Sequence, residues 1–204
     1  MAGRKDISKL VKRVITNTKG NRQTVWVKRN QPSTSLFNAT SKLEKYEKLF
    51  VQGIVEFIKN KYKIDPKITV RGHGYSDNQF GDIVLGENAL KHNKFTLKFD
   101  NDANYRFQII ALMHELVHVK QVVKKELGLS KDNKYITWKG RKHTSVKDYN
   151  KMLRTKDFKS YKNLPWEKEA YGNQTKLTNA LLKSKHWKSM KGKDATLDFI
   201  IDNI

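Results

Sequence analysis

The chain has 204 residues, no cysteine and a formal net charge of +22, from 42 lysines and arginines against 20 aspartates and glutamates. That length suits one domain with an appendage and a core that needs no covalent staple, and the lack of cysteine excludes disulfides and thiolate ligands, so any metal must be held by imidazole and carboxylate. The excess charge favours a polyanionic partner such as nucleic acid, but 34 of the bases are lysine and only 8 arginine, beside 16 asparagines, a composition that AT-rich codon bias also produces.

The opening "MAGRKDISKLVKRVITNTKG" is charged throughout and lacks the apolar run of a secretory signal. No later run reaches the length of a membrane span, so a cytoplasmic protein with no membrane partner is expected. Residues 1–35 carry nine bases and one acid, Asp6. They read as a basic N-terminal arm ahead of a single domain over 36–204. Within the arm, "QTVWVKR" alternates well enough for a short strand.

From Thr40 to Tyr62, Leu43, Tyr46, Leu49, Phe50, Ile54, Phe57 and Ile58 recur at helical spacing, with Ser41 and Glu44 resembling a capping box. The runs "KITVRGHGYSD", "GDIVLGE" and "NKFTLKFDN" are short and divided by Gly, Asn and Asp, which predicts a small, mainly antiparallel sheet. His73, between two glycines, is expected in a loop. Asn104 to Leu127 is the most strongly helical segment. There Ile109, Leu112, Met113, Leu116, Val119 and Val123 share one side, and His114 and His118 share the other. Gln121 to Lys162 is basic and weakly periodic, an ordered excursion containing a strand and turn in "YITWKGRKH". Then "LPWEKEAYGNQTKLTNALLKSKHW" predicts a helix with Pro165 in its first turn and an apolar face of Ala170, Leu177, Ala180 and Leu181.

The stretch "ALMHELVHVKQ" carries the chemistry. Imidazoles at i and i+4 of a helix stand one above the other and can reach one Zn²⁺. Glu115 lies about 100° round the helix, too far to be the natural third ligand but near enough to take a proton from a metal-activated water. For the third ligand, His143, Asp132, Glu167 and Glu169 are available downstream. His143 sits in a flexible-looking basic loop. Glu167 begins a helix with the small Ala170 one turn on, which permits close approach to the HELVH helix, and is preferred over Glu169, about 200° away and expected to be a solvated surface acid. Trp138 and Trp166 flank the site in sequence and are expected to pack rather than to bind substrate.

In order, "HELVH", "TWKG", a Tyr-containing segment and "PWEKEA" resemble the gluzincin-type HExxH zincin metallopeptidases, closest to small metallopeptidase-like proteins of bacteriophage and bacterial genomes. The resemblance covers roughly residues 66–182 and implies an α+β zincin-like fold with a motif helix and a second ligand-bearing helix. It makes His114 and His118 zinc ligands, Glu115 the general base and Glu167 the third ligand. Tyr171 stands where many gluzincins place an Asp that orients a ligand histidine, so it is expected as a neighbour of the ligands or a transition-state donor. The resemblance also implies an edge strand before the motif helix that binds an extended peptide. "NKFTLKFDN" occupies that place, its Lys94 and Lys98 suited to an acidic peptide or to protecting the edge. Three functions fit: a zinc peptidase acting on protein or peptide, a virion component that retains the fold, and a nucleic-acid-associated protease similar in outline to SprT-like enzymes, in host cytoplasm or virion if phage-encoded.

Overall fold

The computed structural model describes residues 10–16, 22–28, 43–73, 81–84, 89, 93–100 and 104–204. In the basic arm, strands β1 (Leu10–Thr16) and β2 (Arg22–Lys28) pair antiparallel, Leu10 opposite Lys28 and Thr16 opposite Arg22. Alternation marks β2. In β1 the apolar residues come in adjacent pairs, Leu10-Val11 and Val14-Ile15, so the period of two is lost.

Helix α1 (Lys45–Tyr62) starts five residues later than Thr40 suggests. Its entry is fixed by Glu47, whose Oε2 accepts the backbone N–H of Glu44 at 2.7 Å and satisfies one of the donors a helix start leaves open. Ser41, expected in the capping box, lies outside the described residues. Phe50, Val51, Ile54 and Ile58 form its buried face, and the chain leaves through Lys63 in a left-handed conformation (φ 51°).

Strands β3 (Lys67–His73), β4 (Gly81–Val84) and β5 (Lys94–Asp100) form a sheet in the order β3-β5-β4, with β5 parallel to β3 and antiparallel to β4. Two expectations change here. "NKFTLKFDN" is the central strand rather than an edge, because Phe95 and Leu97 alternate onto the core face, 2% and 0% exposed, and both flanks are hydrogen-bonded. Lys98 stands in register between Arg71 and Asp82 rather than along an open edge. His73 closes β3 opposite Asp100 rather than lying in a loop.

Helix α2 (Tyr105–Val123) follows directly, with the Asn104 side chain accepting the Arg106 N–H at 2.9 Å as its cap. Its apolar stripe is buried as expected, Ile109, Leu112, Met113, Leu116 and Val119 all at 0% exposure. Beyond it, β6 (Leu127–Leu129), β7 (Tyr135–Trp138) and β8 (Arg141–Ser145) make an antiparallel sheet in that order. Lys139 and Gly140, at φ 48° and 80°, turn the β7–β8 hairpin in the two-residue form whose twist matches the strands.

The polar stretch that follows contains two helices that its periodicity does not reveal, α3 (Val146–Arg154) and α4 (Phe158–Lys162). Neither has a fully buried residue, so no continuous apolar stripe was needed. Ser145 and Asp157 cap them through their side chains. Helix α5 (Pro165–Leu182) begins at Pro165 as expected and packs along α2. The short α6 (Lys185–Lys188) and α7 (Ala195–Asn203) pack on α1 and add Trp187, Leu197 and Ile200 to the core.

The fold is α+β. Among the described residues four of the five strand pairings are antiparallel, and no helix is long and apolar enough to cross a membrane. Ala170 of α5 is wholly buried in the core that α2 and α5 share. Ala170→Leu should therefore destabilise the fold by about 1–3 kcal/mol through overpacking, read as a lower urea midpoint.

Candidate metal centre

His114 and His118 stand one turn apart on α2, on the side away from the apolar stripe. They are nonetheless buried, 8% and 4% exposed, because α5 covers that second face. From the first turn of α5, Glu167 enters between them at 1% exposure. The His114 and His118 Nε2 atoms are 3.2 Å apart. Glu167 lies across the pair, with Oε2 at 3.3 Å from His114 Nε2 and Oε1 at 3.4 Å from His118 Nε2. These three side chains form the one metal-capable cluster among the described residues.

Two glutamines aim the imidazoles. His118 Nδ1 is 2.8 Å from Gln121 Oε1, and the Gln121 amide donates from Nε2 to the Trp166 carbonyl at 3.0 Å. That second bond fixes the amide's orientation, since only NH₂ can donate to a carbonyl, so the oxygen must face His118 and Nδ1 must carry the hydrogen. His114 Nδ1 makes the same contact with Gln174 Oε1 at 3.0 Å. In the neutral rings both Nε2 lone pairs then point at each other and at a carboxylate. Glu167 Oε2 is buried without a hydrogen bond, although His114 Nε2 is its neighbour.

Three acceptors converging in a dry pocket repel unless a cation lies among them. Donors around a tetrahedral zinc with bonds of about 2.0–2.1 Å are spaced about 3.3 Å apart, and the separations here match. The residues present therefore fit Zn²⁺. Structural zinc sites are closed by four protein ligands, whereas catalytic sites keep one position open. The described residues bring three such donors to this cluster, His114, His118 and Glu167.

Without metal the cation is a proton. Burial opposes charge on His118, but Glu167, then Glu115 and Gln121, outweigh it and push its pKa up to about 9. Burial likewise opposes charge on Glu167, but His114, His118 and the Tyr161 hydroxyl bring it down to about 2. Tyr161, from α4, is driven well above the ordinary phenol value by burial and then by the charge of Glu167, and it keeps its hydrogen.

The other candidates separate cleanly. Glu169, expected to be a solvated acid, instead pairs with Lys120 of α2 at 2.8 Å, and Lys120 also holds Glu126 at 2.6 Å. It is on the far side of α5 from Glu167 and does not reach the cluster. His143 is exposed on β8, its Nδ1 2.7 Å from Thr144 Oγ1 and its ring edge-on to Trp166 at 5.4 Å. Asp132 accepts from Ser130 Oγ in a turn. Trp166 is buried and Trp138 packs on it at 6.4 Å, as packing residues. Tyr171 lies ring against ring on His114, centroids 4.5 Å apart and 39% exposed. The task of orienting that imidazole falls to Gln174, one turn further on.

Glu115 is half-buried, and its charge acts on His118, Tyr161 and Tyr171. Gln121, Gln174 and Tyr161 were not singled out from sequence. Helical spacing could have found the glutamines, at three residues after His118 and seven after Glu167. Nothing pointed to Tyr161, because α4 itself was not visible. No family profile, curated protein or solved structure matches this chain, so the assignment of the centre rests on its own geometry.

Because His118 is charged at neutral pH in the metal-free fold and zinc requires it neutral, binding must release its proton. Apparent zinc affinity, measured by chelator competition, should rise by about tenfold per pH unit from about 7 to 9 and then flatten. The metal-free protein should show the reverse trend. Its His118 contribution is complete below the ordinary value of 6.5 and lost as pH rises through about 9, while that of Glu167, complete above 4.5, is lost as pH falls towards 2. Melting temperature against pH reads this directly. Gln121→Ala should cut zinc affinity about 10–100-fold, with the native circular dichroism spectrum retained.

Proposed function

We propose that the protein is a zinc-dependent metallopeptidase that hydrolyses a peptide bond with Glu115 as general base. The observation that carries this reading is the buried convergence of two imidazoles and one carboxylate, three donors among the described residues, beside Glu115 on the helix that carries both histidines. Bound there, Zn²⁺ would lower the pKa of a water molecule and polarise the scissile carbonyl. His114, His118 and Glu167 would hold the ion, and Gln121 and Gln174 keep each imidazole in the tautomer that ligation needs.

Glu115 cannot turn inward as a fourth ligand, since it leaves the helix about 100° from His114. In this reading it accepts the proton of the attacking water and returns it to the leaving amine, the step that makes an amine a viable leaving group. Tyr161 remains protonated and gives its hydrogen to Glu167, which steadies that carboxylate as a ligand. The Tyr171 ring lies against His114 on its solvent side and borders the approach of a protein or peptide substrate. The resemblance of "HELVH" followed by "PWEKEA" to gluzincin-type metallopeptidases is what favours a peptide bond as the substrate.

Glu115→Gln should retain about one zinc per chain and lose hydrolysis of an unstructured protein substrate by about 10²–10⁴-fold. His118→Ala should lose metal and activity together. Unchanged hydrolysis in Glu115→Gln would sink the assignment of the base, and a wild-type chain that takes up no zinc would sink the enzyme.

A further inference from the structure

The positive charge is not spread evenly. Residues 131–162 carry eleven bases and three acids, whereas 163–204 carry seven bases and five acids. A uniform codon bias would not concentrate charge in this way. The three acids of 131–162 are engaged locally: Asp132 accepts from Ser130, Asp148 from the Ser145 hydroxyl, and Asp157 from the Ser160 N–H at the start of α4. Among the described residues none of the eleven bases is in an ion pair.

The charge is also ordered. On α3, Lys147, Lys151 and Arg154 fall at i, i+4 and i+7 and form one exposed ridge, while Tyr149 and Met152 turn to the core. An open groove runs beside the ridge, lined by Lys147, Asn150, Leu153 and Arg154. Leu153, in its lining, is 49% exposed, and four residues after Arg154 helix α4, which packs on α3, presents Phe158 at 60% exposure. A solvated lysine face needs no bare aromatic ring. A row of cations on one helix and a bare ring on the helix packed against it match a chain that alternates phosphates with flat bases.

We propose that the outer face of α3 and α4 binds single-stranded nucleic acid, the phosphates along Lys147, Lys151 and Arg154 and a base stacked on Phe158. A duplex keeps its bases inside and would gain only the phosphate contacts. An anionic membrane would gain the charge but has no base for the ring. None of these residues belongs to the metal cluster, so the surface stands or falls independently of the peptidase reading.

The full chain, zinc-loaded and carrying Glu115→Gln to prevent self-cleavage, would be titrated with labelled oligothymidylate over a salt series. Binding should weaken steeply with salt. Combined Lys147→Ser, Lys151→Ser and Arg154→Ser should reduce the slope of log K against log salt by about 2, at roughly 0.7 per phosphate. Phe158→Ala should weaken binding by about fivefold or more with the slope unchanged. Zinc content and thermal melts of each variant would show that the fold is retained. Equal affinity in variants and parent, as when the N-terminal arm carries the binding, would overturn the proposal. So would equal affinity for a duplex of the same length, or tighter binding to phosphatidylserine vesicles than to the oligonucleotide.

Discussion

Two imidazole nitrogens and a carboxylate, buried and held within 3.4 Å of one another, form an arrangement that persists only around a positive charge. Its neighbours can be read as the means of holding it. Gln121 is the clearest case. Wholly buried, it accepts from His118 with one end of its amide and donates to the Trp166 carbonyl with the other, so it aims a ligand of α2 while tying α2 to the residue before Glu167. Lys120, the preceding residue, makes the same helix-to-helix link on another side through Glu169. Neighbouring side chains at the end of α2 thus fix where α5 begins, and with it the third donor.

A proton and a metal ion would compete for that pocket. The raised pKa of His118 and the lowered one of Glu167 are the electrostatic expression of the same convergence that suits zinc. An isolated buried ion pair would be weak support for a site, because such pairs occur for structural reasons. Here the distinguishing feature is that both Nδ1 atoms are occupied by carbonyl oxygens, which leaves both Nε2 atoms for a common centre.

The basic excursion between α2 and α5 connects this centre to the rest of the surface. Its core-facing rings, Trp138, Tyr149 and Tyr161, pack on Trp166 or on one another at 6.0–6.4 Å. They anchor the β6–β8 sheet and α3–α4 to the start of α5. One excursion therefore delivers Tyr161 to the cluster of His114, His118 and Glu167 and displays its cations outward, with Lys162 over the Tyr171 ring at 5.4 Å.

Much of the centre could be read in one dimension. The i, i+4 pair in "HELVH", its placement opposite the apolar stripe of α2, and the start of α5 at Pro165 are all local, set by helical geometry within a few residues. Choosing Glu167 over Glu169 is also local: the two face opposite ways on the helix, and the small Ala170 one turn on marks the side of Glu167 as the one that packs closely. What the non-chosen acid does did not follow, because its partner Lys120 lies 49 residues away in the chain. Nor did the position of β5: an apolar alternating strand looks the same at a sheet's centre or edge until its neighbours are known. The helices α3 and α4 were hidden because they bury no complete side chain and so leave no period. By itself the sequence determined which side chains could ligate a metal and on which helical face they lie. Only the tertiary structure decided that α5 lies along α2, that a glutamine stands behind each imidazole and that a tyrosine faces the carboxylate, because those contacts join segments whose separation along the chain carries no information about their distance in space.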